Sequence, residues 1–150
     1  MQESGTVLLL DTHSFPSRPL PDELVQDRAR PDICIGTDKF HTPTAVVDAF
    51  MAAFAVAGFS VALNTPFAGA IVPVEFYRTN PAVHSVMIEV NRVNFMDEWT
   101  GERLPCFDEV ADRVRACCVR GGGRRLVENR LSLGAEYALK PPGPRRRSGS

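Results

Sequence analysis

The sequence has no run of about 18 consecutive apolar residues, so nothing in it reads as a membrane span. The start, MQESGTVLLLD, has neither a basic region nor a small-residue cleavage site, so it does not read as a signal peptide. It has no excess of one charge, with a formal net charge of −1, so the molecule as a whole makes no electrostatic call on nucleic acid or an anionic surface. Four cysteines, at 34, 106, 117 and 118, form no C-x-x-C pair and no zinc-finger spacing. Free thiols in a reducing, cytoplasmic setting are the reading this supports. No internal repeat is present. What remains is a 150-residue chain with 44% apolar and 23% charged residues, the profile of one globular domain with a real core.

Along the chain, Thr6 to Leu10 reads as a short buried strand, and Ser14 to Pro31, with four prolines, as a long loop. Ile33 to Gly36 is a second strand. HTPTAVVDAFMAAFAVAG predicts a helix with Thr42 as N-cap, Pro43 in its first turn and Gly58 as its stop. Its single charge, Asp48, predicts cover on more than one side. Phe59 to Leu63 is a third strand, followed by the loop NTPFAGAIVP. Val83 to Val90 is a fourth strand, whose run Val86-Met87-Ile88 suits a central strand covered on both faces. Phe107 to Arg120 predicts a second helix, with acids in its first turn and Arg120 at its end. Gly121 to Gly123 then reads as a stop, dividing a domain over 1–120 from a tail over 121–150. That tail holds seven basic residues against two acidic, and reads as disordered and solvated.

Strands alternating with helices imply an α/β fold with a largely parallel or mixed sheet flanked by helices. Ligands in such sheets bind beyond the carboxyl ends of strands. Polar residues stand there: Asp11 and His13 after the first strand, Asn64 after the third, Glu89 late in the fourth. His13 with Asp11 two residues earlier reads either as a metal ligand with its carboxylate partner or as a capped turn. On an extended chain the two point to the same side. Glu89 interrupts an apolar strand, where an unpaired charge is costly. It either pairs with a neighbour such as Arg92 or faces a cleft as a proton carrier. Asn64 reads as a turn former or as an amide for a substrate. His41 and His84 read as structural, and Tyr77 and Arg78 could reach a substrate carboxylate.

Five blocks in this order, LLLDTHSFP, RPDICIGTD, FHTP, GFSVALNTPFAGAIVP and SVMIEVNRVNFMDE, resemble the N-formylglutamate amidohydrolase (deformylase) family over roughly Val7 to Trp99. The resemblance implies an incomplete phosphorylase/hydrolase-like fold, related to the zinc carboxypeptidases. It implies zinc-dependent hydrolysis of N-formyl-L-glutamate, or a related N-acyl amino acid, late in histidine breakdown. It assigns His13 to the zinc and Glu89 to the general base; Asp11, by its place two residues before His13, would fix the imidazole or join it on the metal. Asn64 and Arg92 fall in blocks expected near the substrate. Family members carry upstream H-S-G and D-L-N-R blocks, the first bearing another zinc ligand, and neither is in this chain. The expectation is therefore a truncated product, a fragment, or one half of a split protein whose partner chain completes the site. Asp11, Asp38 or His41 could stand in for the missing ligands.

Overall fold

The computed structural model describes residues 5–123. Four strands, β1 (Val7–Phe15), β2 (Ile33–Gly36), β3 (Val61–Leu63) and β4 (Val83–Asn91), form one sheet in the order β1-β4-β2-β3. β1 runs parallel to β4 and β2 parallel to β3, while β2 and β4 are antiparallel, so the sheet is mixed. Two helices, α1 (Thr44–Val56) and α2 (Phe107–Gly122), complete the α/β domain, and a 3-10 turn follows β4 at Arg92–Asn94. Among the described residues no helix is long and apolar enough to cross a membrane.

The core lies on one face of the sheet. Val86 and Ile88 of β4 and Ile33 and Ile35 of β2 meet Phe50, Ala53 and Phe54 of α1, and Cys117 and Cys118 of α2. Phe50, Ala53 and Phe54 are spaced three and four apart, so one stripe of α1 is buried. Each fully buried aromatic or branched side chain there contributes roughly 1.5–3 kcal/mol of transfer free energy. α1 is covered on two sides, by the sheet and by α2, and leaves Ala45, Asp48, Ala52 and Ala55 to solvent. β4 is buried along nearly its whole length, as its continuous apolar run predicts.

Four boundaries differ from the sequence reading. β1 continues past Leu10 to Phe15, because Asp11 through Phe15 pair with Met87 through Asn91 of β4. Asp11 and His13 therefore lie inside a strand. Thr42 does not cap α1: its hydroxyl donates to Ser85 O (2.6 Å) and accepts from Asp38 N (2.9 Å), tying the approach to the helix onto β4. β3 begins at Val61, since Phe59 turns into the core against Phe54 and Ser60 is held by Asp32. α2 runs through Gly121 and Gly122 and ends at Gly123, which has φ +71°. The reading of the basic tail beyond Gly123 lies outside the described residues. Gly58 ends α1 as expected, with φ +85°.

Gly121 continues the helix because of what it touches. A Cβ there would stand 2.6–2.8 Å from ring atoms of the buried Phe50. Alanine favours a helix over glycine by about 1 kcal/mol. Overpacking a tight core costs roughly 1–3 kcal/mol. Gly121→Ala is thus expected to lower stability by about 1 kcal/mol despite its better helix propensity. Denaturant unfolding checks this, and a rise in the midpoint would mean that Phe50 moves freely.

Candidate functional site

The sheet's second face carries the polar residues of the strands. In the parallel β1–β4 ladder His13 stands opposite Glu89 and Asp11 opposite Met87. Residues so paired project to one side, and alternation puts Leu8, Leu10, Val86 and Ile88 on the other. β2 adds Cys34 opposite Glu89 and Gly36 opposite Met87. This face is covered by loops. Phe67 sets its ring edge against Phe15 at 5.7 Å, and Cys34 Sγ donates to Phe67 O at 3.1 Å. Ser85 Oγ donates to Ile71 O at 2.7 Å.

Between the ladder and the 68–71 loop lies an open cleft of ≈ 330 Å³. Asp11, His13, Met87 and Glu89 form its floor, and Ala68 to Ile71 its wall. His13 Nε2 is 2.6 Å from Asp11 Oδ1, so the carboxylate holds the imidazole through that nitrogen. Glu89 is buried, at 9% exposure, and its Oε2 has no hydrogen-bond partner among the described residues. Burial pushes the Glu89 carboxyl above its usual range; His13 opposes the shift, Asp11 adds to it and Arg92 opposes it. A carboxylate with a raised pKa, open to a cleft, is suited to take and return a proton.

Three of the five expected site residues thus meet in one place: Asp11, His13 and Glu89. The other two lie outside the cleft. Arg92 donates from Nε to Ser14 Oγ and from Nη2 to Ser14 O, both at 3.1 Å, fastening the turn after β4 to β1. It is therefore not the ion partner of Glu89. Asn64, at φ +53°, spends its amide on Thr37: Oδ1 accepts from Thr37 N (2.9 Å) and Nδ2 donates to Thr37 Oγ1 (2.9 Å). His41 is fully buried, with Nδ1 donating to Val83 O (2.7 Å) and Nε2 accepting from Arg78 N (2.8 Å). Asp38 caps the N–H groups of Phe40 and His41. Both ring nitrogens of His41 are thus spent, and neither His41 nor Asp38 lines the cleft. Tyr77 stacks on His41 and carries the Arg78 guanidinium over its ring, away from the cleft. Cys34 and the 68–71 loop were not singled out by the sequence reading, and only Gly69 in NTPFAGAIVP hints at a close backbone approach.

The donor chemistry is part of what zinc asks for. His13, with Nε2 on a carboxylate, has the bonding of a metal-bound imidazole whose far nitrogen is fixed. A catalytic zinc needs about three protein ligands. Among the described residues no group of three His, Cys, Asp or Glu side chains is gathered to hold a metal. These residues alone therefore do not make a zinc site.

Comparison with known proteins decides the family. The profile for N-formylglutamate amidohydrolase matches residues 1–96. The chain belongs to the N-formylglutamate amidohydrolase family. The match takes in the whole sheet and all of the cleft, and ends before α2. The fold is that of the crystal structure of N-formylglutamate amidohydrolase from Ralstonia eutropha JMP134, with a TM-score of 0.60 and 24% identity. The likeness covers 77% of this chain and 42% of that one, so this chain spans less than half of that amidohydrolase. No curated protein matches the sequence.

The raised Glu89 pKa has a consequence for stability. A carboxyl whose folded pKa lies above its unfolded value destabilises the fold once ionised. The cost is full above the folded pKa and disappears as pH falls through the unfolded value, about 4.3. Glu89→Gln is expected to raise the melting temperature at pH 7 by a few degrees, the effect of ~1 kcal/mol in a domain of this size. The gain should shrink to nothing toward pH 4. A gain independent of pH would mean that charge burial is not its source.

Proposed function

We propose that this chain carries the proton-transferring half of an amidohydrolase site that cleaves N-formyl-L-glutamate, or a related N-acyl amino acid, to the amino acid and formate or another carboxylate. One observation carries the reading. Glu89 stands buried in the central strand, its Oε2 unpartnered, on a cleft beside His13. In the reaction Glu89 takes a proton from water as its oxygen attacks the acyl carbon. The C–N bond breaks, and Glu89 returns the proton to the departing nitrogen. Asp11 holds His13 in place. Zinc dependence belongs to this proposal, with His13 as one ligand and the remainder supplied from outside residues 5–123.

The donor count favours a second reading, in which the chain works only with a partner chain that completes the ligands. Zinc content and formate release, measured on the purified chain and on His13→Ala and Glu89→Gln, test both. About one zinc per chain, lost in His13→Ala, with turnover falling roughly 10²–10⁴-fold in Glu89→Gln, is the expected result for a self-sufficient site. A folded chain without zinc or turnover supports the partner-dependent reading. Turnover unchanged by Glu89→Gln would remove the assigned base. A panel of N-formyl and other N-acyl amino acids separates the formyl substrate from a related acylase.

A further inference from the structure

The cleft poses a problem of charge. Its floor holds two carboxylates, Asp11 and Glu89, and among the described residues no Lys or Arg lines it. Arg92 and Arg30, on segments flanking the same strands, are committed elsewhere. Arg92 is on Ser14, and Arg30 pairs with Glu23 and donates to Pro16 O (3.1 Å) and Val25 O (3.3 Å). An N-acyl amino acid carries at least one carboxylate, which needs donors away from that floor.

The loop supplies them. Its ends are pinned to the sheet, through Phe67 O on Cys34 and Ile71 O on Ser85. Gly69 O also lies over the sheet: a Cβ built on Gly36 would be 2.3 Å from it. That approach needs glycine at 36, and φ +99° at Gly69 needs glycine there. In a trans peptide the C=O and the following N–H point in opposite directions. With Phe67 O and Gly69 O turned down to β2, the N–H groups of Ala68 and Ala70 point up, away from the floor. Neither makes a hydrogen bond among the described residues.

We infer that Ala68 N–H and Ala70 N–H form the carboxylate-binding rim of this cleft, holding an N-acyl amino acid by its carboxylate while its amide lies toward Glu89. The inference rests on the proposed hydrolase reading and adds the group by which the substrate is held. Two parallel amide donors to an anion give stronger, shorter bonds than neutral pairs.

Amide ¹H–¹⁵N spectra of the full chain, titrated with N-formyl-L-glutamate and with its dimethyl ester, test this. Saturable shifts at Ala68 and Ala70 with the diacid, absent with the diester, are expected. Gly36→Ala, which forces Gly69 O off the sheet, should weaken diacid binding about tenfold. If that variant does not fold, the wild-type pair of titrations decides alone. Shifts at His13 and Glu89 without any at Ala68 and Ala70 would overturn the inference and leave the proposed function standing. Equal shifts with the diester would overturn recognition of a carboxylate. No response anywhere at millimolar diacid would overturn both readings for this chain.

Discussion

In a parallel ladder, residues opposite one another project to the same face, and the pairing of β1 with β4 sets His13 opposite Glu89. The same register sends Leu10 and Val86 to the opposite face, toward α1 and α2. A slip of one residue would turn Leu8 and Leu10 onto the cleft and drive Asp11 and His13 toward the helices. Burial of the apolar set therefore fixes the polar set. The core does not need Asp11, His13 or Glu89, but their alignment needs the core.

That alignment has a cost, which falls on β4. As a central strand it exposes little of any side chain, and Glu89 has neighbours that do not neutralise it. Cys34, opposite on β2, gives its S–H to Phe67, and Arg92 turns to Ser14. His13 and, more weakly, Arg92 pull the carboxyl toward ionisation, and His13 is itself shared with Asp11. A buried carboxylate left without a partner is what a structural ion pair avoids and what a proton carrier uses. Stability surrendered at one such position is a familiar feature of sites that do chemistry.

Periodicity and punctuation were enough to find α1, α2, β2 and β4, because those signals are local. The second half of β1 was not legible, since THSF is strand only through partners on β4, far along the chain. Thr42 looked like a cap for the same reason: its real partner, Ser85 O, belongs to another strand. Gly121 looked like a stop because its contact with Phe50 is tertiary. At the site, D-x-H and a lone Glu in an apolar run marked the residues that meet. Which way Asn64 and Arg92 turn depends on Thr37 and Ser14, which no spacing rule names. Backbone donors such as those of Ala68 and Ala70 have no residue signature at all.

The two faces of the sheet are held by different means, and this accounts for where the cleft lies. Helices close one face with dense side-chain packing, which leaves no room for a ligand. Loops close the other through a few directed contacts. Arg30 is the link among them. Its buried guanidinium pairs with Glu23, 5.9 Å from the centre of Phe15 and 5.8 Å from that of Phe67. One cation thereby fastens the long segment before β2 both to the end of β1 and to the start of the 67–71 loop. Loss of Arg30 would free Phe67 from that side and leave Glu23 without its partner, so the cleft wall would loosen while the helical face stayed packed. The rigidity of the wall comes from this clamp and from the hydroxyl and thiol of Ser85 and Cys34, and the sheet beneath it contributes register more than cover.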